Sequence, residues 1–226
     1  MQSGQFVVQQ FGEFKPESVT SYEVGYKGLL ADSKLLIDAY GYIGNYQDFL
    51  TRVNVVQSIT SSPSPTDVIN PDKRRILSIP VNSPSRVKTN GWGLSLEYKF
   101  NKGFYLNTNL SSDVLVNAPV GYITFFNSPK YRSNIGFGNN GFGKSKRVGF
   151  NIVYRWQSEI EYQSDLANGI VPAYHIMDAQ IGYKFPKINS IVRLGANNLF
   201  NQYYITGLAN PSIGGLYYVS FGYNIF

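Results

Sequence analysis

The side chains that most often carry enzyme chemistry are scarce in this sequence. Its 226 residues include no cysteine and a single histidine, His175. A zinc site needs three or four Cys, His or acidic ligands, so His175 alone does not make one. His175 could serve a membrane esterase with Ser158 or Ser164 as the nucleophile, but no motif supports that arrangement. The sequence therefore predicts no catalytic residue, no metal site and no cofactor, and we do not expect an enzyme.

Basic side chains are the candidates for binding a ligand. The formal net charge of +6 is not gathered into a dense stripe, so nucleic acid is not an expected partner. One basic group, Lys73-Arg74-Arg75, lies in a proline-rich stretch, where it would meet a ligand, lipid phosphates or only solvent. Four spaced arginines would form a basic wall for an anionic ligand: Arg132, Arg147, Arg155 and Arg193. The alternative is ion pairing with carboxylates on neighbouring strands, namely Glu23, Asp38, Glu97 and Asp178.

The elements that would position these side chains are β-strands, because polar and apolar residues alternate with a period of two. From Val148 to Trp156 the even-numbered residues are apolar, and Arg147, Asn151 and Arg155 lie on the other face. In the clearest stretches every charge lies on the side opposite the apolar set. We predict nine antiparallel strands, at residues 19–30, 34–47, 87–100, 103–115, 129–140, 146–158, 173–185, 190–200 and 215–226.

The connections between the predicted strands alternate between short turns and long loops. The short turns fall near residues 31–33, 101–103, 140–144 and 186–189, and the long loops at 48–86, 116–128, 159–172 and 201–214. In an antiparallel meander this alternation places every long loop at one end, as in outer-membrane β-barrels. A soluble β-sandwich gives no reason for that arrangement. The sequence thus favours an all-β, antiparallel transmembrane β-barrel, in which the long loop 48–86 is expected to be partly mobile.

The composition agrees with a sheet that has one face in lipid. Charged residues make up 15% of the chain, well below the roughly 25% of soluble domains. The 18 tyrosines and 15 phenylalanines suit the interfaces of a membrane, where aromatic belts form. We predict an outer belt of Tyr154, Trp156, Tyr174, Tyr203 and Tyr217, and an inner belt of Tyr26, Tyr98, Phe100, Phe104, Phe150 and Tyr183.

The odd number of strands has a consequence for closure. Nine alternating strands begin and end in the same direction, and two such strands cannot pair to close an antiparallel barrel. We therefore expect residues 1–226 to be the C-terminal part of a larger barrel; pairing with strands of another polypeptide is the alternative. The first residues, Met1-Gln2-Ser3-Gly4, lack the charged and apolar regions of a signal peptide, so a targeting signal is expected upstream.

Three stretches resemble, in this order, motifs of TonB-dependent outer-membrane receptors. Lys15 to Lys27 (KPESVTSYEVGYK) resembles the segment that opens a strand in the second half of their barrel. Gly195 to Asn201 (GANNLFN) is similar to the stretch before their last extracellular loop, and Gly214 to Phe226 is similar to their final strand. Shorter likenesses, at 126–130 and 154–157, resemble versions from the Bacteroidetes. Phe226 itself departs from the pattern, because it is out of phase with the apolar residues before it.

The resemblance implies a barrel of about 22 strands with a plugged lumen, of which about nine strands are present here. The plug domain, the signal peptide and the segment that binds TonB would lie upstream, and the C-terminus would be periplasmic. The implied function is active import of a nutrient across the outer membrane: a siderophore or other metal chelate, a vitamin, a peptide or an oligosaccharide. The implied partners are TonB, the plug, outer-membrane lipid and lipopolysaccharide, and a surface lipoprotein. A passive porin is the alternative function, since a polar inner wall would serve both.

Overall fold

The computed structural model describes residues 12–165 and 167–223, which fold as antiparallel β-structure. The strands are β1 (Ser18–Leu30), β2 (Leu35–Gln47), β3 (Leu50–Ser58), β4 (Arg74–Asn82), β5 (Val87–Lys99), β6 (Phe104–Val116), β7 (Arg132–Phe142), β8 (Val148–Gln157), β9 (Ile160–Gln163), β10 (Asn168–Val171), β11 (Tyr174–Phe185), β12 (Ser190–Asn197) and β13 (Leu216–Tyr223). Nine of these form one sheet, in the order β1-β2-β5-β6-β7-β8-β11-β12-β13, and β3–β4 and β9–β10 form separate hairpins. The nine-stranded sheet is the predicted meander, a part of a barrel wall.

The register of the sheet aligns the apolar residues of neighbouring strands. One row shows the pattern: Ile152 on β8 lies opposite Ala179 on β11, which lies opposite Ala196 on β12, and Ala196 lies opposite Tyr217 on β13. Because side chains alternate along each strand, this register collects every second residue on one continuous face. We call it the apolar face, and the opposite side the polar face.

The apolar face is exposed although it is built from large hydrophobic side chains. Val24 is 75% exposed, Val219 72% and Ile181 51%. In water an apolar surface that extends across nine strands would be strongly unfavourable. In a bilayer it is what the hydrocarbon requires, and the paired backbone satisfies its own hydrogen bonds. In the part of the chain that the structure describes, no helix is long and apolar enough to cross a membrane.

Aromatic rings gather on the apolar face near the short turns, as predicted for the inner belt. The rings of Tyr98 and Phe100 lie 4.7 Å apart, and those of Tyr183 and Phe185 lie 4.8 Å apart. Between these pairs, the Phe104 ring stacks on that of a phenylalanine one strand away at 5.7 Å. Edge-to-face and offset contacts of this kind stabilise the interfacial region of a barrel.

The prediction for Tyr174, at the outer belt, is wrong. Its strand register places it opposite Gln157, on the polar face, and its ring lies 4.3 Å from that of Tyr204. Since the neighbouring residue His175 lies opposite Trp156, strict alternation turns Tyr174 inward. Tyr154, Trp156 and Tyr217 do share the apolar face through their register positions.

Tyrosines on the polar face lie across glycines of the next strand. Tyr42 on β2 lies opposite Gly91 on β5, and Gly91 lies opposite Asp113 on β6. With no side chain at Gly91, the tyrosine ring passes over it, and the Tyr42 hydroxyl donates to Asp113 Oδ1 at 2.7 Å. We call such an arrangement, which joins three strands through one tyrosine, a tyrosine rung.

Two more tyrosine rungs occur in the sheet. Tyr105 lies over Gly138, and its hydroxyl is 3.3 Å from Asn151 Oδ1. Tyr218 lies over Gly195, and its hydroxyl accepts from Gln180 Nε2 at 2.8 Å. The rungs supply interstrand contacts in addition to the backbone hydrogen bonds of the sheet.

The predicted long loop 48–86 is largely a β-hairpin, which is the main departure from the expected layout. β3 pairs with β4 along their whole lengths, from Leu50 opposite Asn82 to Ser58 opposite Arg74. Both segments carry several Val and Ile residues, which favour strands. The third long loop also contains a hairpin, β9–β10. The expected mobility of 48–86 stays a prediction.

The predicted turn at 140–144 lies a few residues later in the structure. β7 continues to Phe142 through an irregularity between Asn139 and Phe142. Asn139, 1% exposed, holds this bulge, because its Nδ2 donates to the Lys102 carbonyl at 3.0 Å and its Oδ1 accepts from the Gly141 amide at 2.7 Å. Phe226 and the first residues lie outside the described ranges, so the structure does not bear on how they sit.

Candidate functional site

The four long connections lie at one end of the sheet and form a folded cluster. They span residues 48–86, 117–131, 158–173 and 198–215, between consecutive strands of the main sheet. Most of the deeply buried apolar side chains lie in this cluster or at the strand ends that meet it, namely Val87, Ile123, Ile160, Val171 and Ile176. A small hydrophobic core therefore lies at this end of the sheet.

The hairpin β3–β4 is tied at its base to the segment that precedes β1. Asn82 Oδ1 accepts from the Lys15 amide at 2.7 Å, and Asn82 Nδ2 donates to the Lys15 carbonyl at 2.9 Å. Glu17 Oε2 accepts from the Leu50 amide at 2.8 Å. The motif Lys15-Pro16-Glu17 thus has a structural role here: it joins the start of β1 to the first long connection.

The tip of the same hairpin is organised by a buried carboxylate. Asp67, 3% exposed, accepts from the Ser64 amide and from the hydroxyls of Ser58 and Thr60, all at its Oδ2 within 2.9 Å. These hydrogen bonds, that from the Ser64 amide foremost, lower the pKa of Asp67 below its ordinary value. Ser64 caps the short 3-10 helix Pro65–Val68 in return.

Arg52 joins the hairpin to two other long connections. Its backbone amide and carbonyl exchange hydrogen bonds with Ile123, at 3.0 and 2.7 Å. Its guanidinium donates from Nη1 to Asp165 Oδ2 at 2.7 Å and lies 5.5 Å from the centre of the Phe125 ring. Asp165 Oδ1 also accepts from the Ser78 hydroxyl, on β4, at 3.0 Å. No pattern in the sequence points to Arg52, because its partners Ile123, Phe125 and Asp165 are distant along the chain.

The remaining contacts connect the second, third and fourth long connections. Gln163 Oε1 accepts from both the amide and the hydroxyl of Thr124, at 2.8 and 2.9 Å. Asn127 exchanges two hydrogen bonds with the backbone of Gln163, at 2.8 and 2.9 Å. Gly207 packs so closely on the Tyr162 ring that a Cβ there would lie 2.9 Å from a ring carbon. All four connections are therefore held to one another by direct contacts.

A cavity opens between the second and third long connections, next to the end of β6. Its volume is about 480 Å³, within the range of small-molecule sites. The polar residues that line it include Asp113, Tyr122, Lys130, Glu159, Glu161 and Gln163. Three carboxylates and one ammonium make this lining acidic on balance, in contrast to the basic wall expected from the sequence.

The loop candidates Lys73, Arg74 and Arg75 lie at the hairpin tip, away from this cavity. Arg74 Nη1 donates to the Val68 carbonyl at 2.6 Å. This hydrogen bond joins the start of β4 to the end of the first 3-10 helix. Arg75 Nε donates to Gln57 Oε1 at 2.8 Å across the hairpin. Lys73 is exposed at the end of the second 3-10 helix.

Two of the four candidate arginines on the strands form ion pairs. Arg132 Nη2 donates to Asp113 Oδ2 at 2.7 Å, and Arg155 Nη2 donates to Asp178 Oδ1 at 3.0 Å. Asp178 also accepts from the Asn198 amide at 2.8 Å, so this pair anchors the start of the fourth long connection. The partner of Arg155 is among those considered from the sequence, whereas the partner of Arg132 is not.

The other two arginines lie nearer the short turns. Arg193 extends over Gly182 on the neighbouring strand, where its Cγ is 3.3 Å from the position of a Cβ. Arg147 is exposed just before β8 begins, and its carbonyl accepts from the Lys184 amide at 2.9 Å. The structure therefore does not bring the four arginines into one site. In the described ranges, no group of three or more His, Cys, Asp or Glu side chains is placed to hold a metal ion.

Comparison with known families identifies the fold. The model of the TonB-dependent receptor-like β-barrel family matches residues 2–199, most of the chain. The chain belongs to the TonB-dependent receptor β-barrel family. Members of this family are outer-membrane transport receptors, and an exposed apolar face is what the barrel of such a protein presents to the bilayer. No curated protein sequence matches the chain significantly.

Solved structures of TonB-dependent receptors share this arrangement of strands. The copper transporter OprC aligns with a TM-score of 0.66 and 15% identity over 92% of this chain and 31% of its own. The siderophore receptor PirA from Acinetobacter baumannii gives 0.62 and 17% over 93% and 32%, respectively. The ferric-catecholate import receptor Fiu from E. coli gives 0.60 and 13% over 96% and 30%. The chain thus spans about a third of the length of these receptors, and at these identities the likeness concerns the fold.

Proposed function

We propose that this chain is the C-terminal part of the barrel of a receptor that imports a nutrient across the outer membrane with energy delivered by TonB. The observation that carries the proposal is the interlocked cluster of long connections, with its cavity, on a member of this family. In outer-membrane barrels the long connections are extracellular and the short turns periplasmic. In this proposal the cavity lies outside the cell, and the end of β13 lies on the periplasmic side.

The remaining parts of the transporter belong to the rest of the polypeptide in this proposal. They are the other strands of a barrel of about 22, the plug inside it and the segment that binds TonB. The polar face would then line the lumen and contact the plug. Arg193, which has no ion-pair partner among the described residues, would belong to this face, and Arg147 would lie near its periplasmic edge. Lipopolysaccharide would surround the outer rim, and a surface lipoprotein is proposed as a further partner.

The transport step needs no covalent chemistry from this chain. Ligand would enter the cavity from outside and be held by hydrogen bonds and ion pairs with Lys130, Glu159, Glu161 and Gln163. Because Arg52 holds three connections together, the cavity is formed before the ligand arrives, which limits the ordering cost of binding. Movement of the plug, driven by TonB, would then admit the ligand to the lumen.

The proposed ligand is a chelated metal. Solved receptors with the same arrangement of strands include a copper transporter and a siderophore receptor, and a chelate offers the polar groups that this cavity would bind. A vitamin, a peptide or an oligosaccharide remains within the same class of imported nutrient. The volume of about 480 Å³ suits a compact ligand better than a long glycan.

The test is uptake by cells that lack the receptor and are complemented with the full-length protein, with or without its TonB-binding segment. We expect growth on the scarce nutrient only when that segment is present. Uptake that does not change without it would replace this proposal with the passive porin.

The cavity is tested separately in the same cells. Lys130→Ala and Glu161→Ala should raise the concentration needed for half-maximal uptake by about tenfold, while the maximal rate is kept. Lys187→Ala, at a short turn, is the matched control and should leave uptake unchanged. If neither cavity variant alters uptake, ligand capture does not use this cavity.

A further inference from the structure

The apolar face is not uniformly filled, because it contains a groove across β8, β11, β12 and β13. The volume of the groove is about 480 Å³. Its floor is the pair Ala179 and Ala196, which lie opposite each other on β11 and β12. Ala196 is 5% exposed, so it lies below the level of its neighbours. Two small side chains side by side leave a depression where other rows carry Leu, Ile or aromatic residues.

Large side chains of the same face form the walls. Ile152 and Tyr217 stand at the two ends of the alanine row, on β8 and β13. Ile181 and Leu194 form the side toward the short turns, and they are 51% and 53% exposed. The lining is almost entirely apolar, because the one amide side chain nearby, that of Gln180, is turned to the polar face, where it bonds to Tyr218.

The wall at the long-connection side is fixed in place. The Tyr217 hydroxyl donates to the Leu199 carbonyl at 3.0 Å, which holds the tyrosine ring across the end of the groove. Leu199 itself lines the groove, and its amide donates to the Met177 carbonyl at 2.6 Å. A groove with a hydrogen-bonded wall keeps its shape without an occupant, as preformed apolar sites do.

We infer that this groove is a specific binding site for the acyl chain of a bilayer lipid, in the leaflet on the side of the long connections. The inference rests on membership of an outer-membrane family and on the continuity of the groove with the apolar face, not on the proposed import. Hydrocarbon surrounds this face, and the groove offers an acyl chain only apolar atoms to contact. It begins midway along β11 and reaches Leu199 and Tyr217 at the outer strand ends, so it extends from the middle of the membrane toward one interface.

Photo-crosslinking tests this site directly. The full-length protein is reconstituted in phosphatidylcholine vesicles that contain a small fraction of phosphatidylcholine with a diazirine in the middle of one acyl chain. After illumination, the adducts are mapped by mass spectrometry of peptides. We expect them to concentrate on 179–181 and 194–199, and to fall by about fivefold or more in Ala196→Leu, which fills the floor.

The matched control is Ala39→Leu, the same change on the same face of β2, opposite Tyr26 and Leu94, and it should leave the adducts in the groove unchanged. If Ala196→Leu does not assemble, Ala179→Val makes a smaller change to the same floor and is expected to act in the same direction. Labelling spread over the apolar face in proportion to exposure, with Val24 and Val219 as strongly labelled as the groove, would overturn the inference. A protein dimer whose subunits cover the groove, with no lipid adducts on 179–181 and 194–199, would overturn it as well.

Discussion

Arg52 connects more of the candidate site than any residue chosen from the sequence. Its guanidinium links β3 to Asp165 and lies over the Phe125 ring, so the side chain is half-buried among three connections. We expect Arg52→Ala to weaken the cluster without affecting the sheet, since the guanidinium contacts only long connections. The loss should be about 1 kcal/mol of local opening free energy, because the side chain is partly exposed to solvent.

The measurement is hydrogen exchange of the backbone amides in 117–127 and 160–171 of the full-length receptor. Exchange there should be about fivefold faster in Arg52→Ala. Arg75→Ala is the control, because its side chain bonds to Gln57 within the same hairpin and should change exchange only near the tip. Equal protection in wild type and Arg52→Ala would show that the connections hold together without this side chain.

For a single residue, the sequence predicts the face of the sheet on which its side chain lies better than it predicts which residue that side chain contacts. Alternation places Arg132 and Arg155 on the polar face, and the strand register agrees. Alternation does not predict the ion pair between Arg132 and Asp113, because that pair depends on which residues of β6 and β7 lie side by side. Arg52 is further from prediction, since its partners come from two other connections whose approach is decided by tertiary packing.

At the scale of the element, the tyrosine over a glycine is the feature most open to test. Gly93 lies beneath Tyr40, and a Cβ at Gly93 would lie 2.6 Å from Tyr40 Cζ. We expect Gly93→Ala to cost about 1–3 kcal/mol, because the ring must move from its place against the sheet. The free energy of unfolding of the full-length receptor in vesicles, from denaturant titration, is the quantity to compare.

The matched control is Gly41→Ala, on the adjacent strand, where the nearest atom to a Cβ would be 3.8 Å away; it should cost little. The double variant Gly93→Ala with Tyr40→Ala separates packing from backbone effects. If the ring is the obstacle, the double variant should lose less stability than the sum of the two single variants. Strict additivity would assign the cost to the glycine backbone instead.

The hairpins explain why the long connections are the least predictable elements. β3 and β4 have strand-like composition, but β4 contains Pro80, and the intervening segment 61–73 is rich in proline and polar residues. Local patterns therefore indicate a loop. Pairing becomes favourable because the hairpin packs on its neighbours, through Arg52 and Ile123 at its side and through Asn82 at its base. Six of the nine main strands alternate clearly in their own sequence, and the other three, at 34–47, 103–115 and 129–140, do so less regularly.

For the whole molecule, the central test is which face meets the lipid. Leu94 on β5 belongs to the apolar face, and Ser95 belongs to the polar face, where its register partner is Asp38. Leu94→Arg should destabilise the receptor by about 2–4 kcal/mol near the middle of the membrane, and Ser95→Arg by much less, because Asp38 is nearby and the face is polar. Unfolding in vesicles measures both. A larger loss for Ser95→Arg would reverse the facing.

Sidedness is tested with protease on intact cells. Lys73, exposed at the hairpin tip, and Lys187, exposed at the turn between β11 and β12, lie at opposite ends of the sheet. Trypsin added outside should cleave after Lys73 and should reach Lys187 only when the outer membrane has been opened. Cleavage in the reverse order would place the long connections in the periplasm.

The tyrosine rungs have a mechanical consequence. The rungs run across the strands, in the direction around the barrel, whereas covalent bonds resist force along the strands. Tyr42, Tyr105 and Tyr218 therefore each hold three neighbouring strands of the wall together. If the plug inside the barrel is pulled from one side, the tyrosine rungs limit the distortion of the round cross-section of the barrel. The work done by the pull then displaces the plug instead of deforming the barrel.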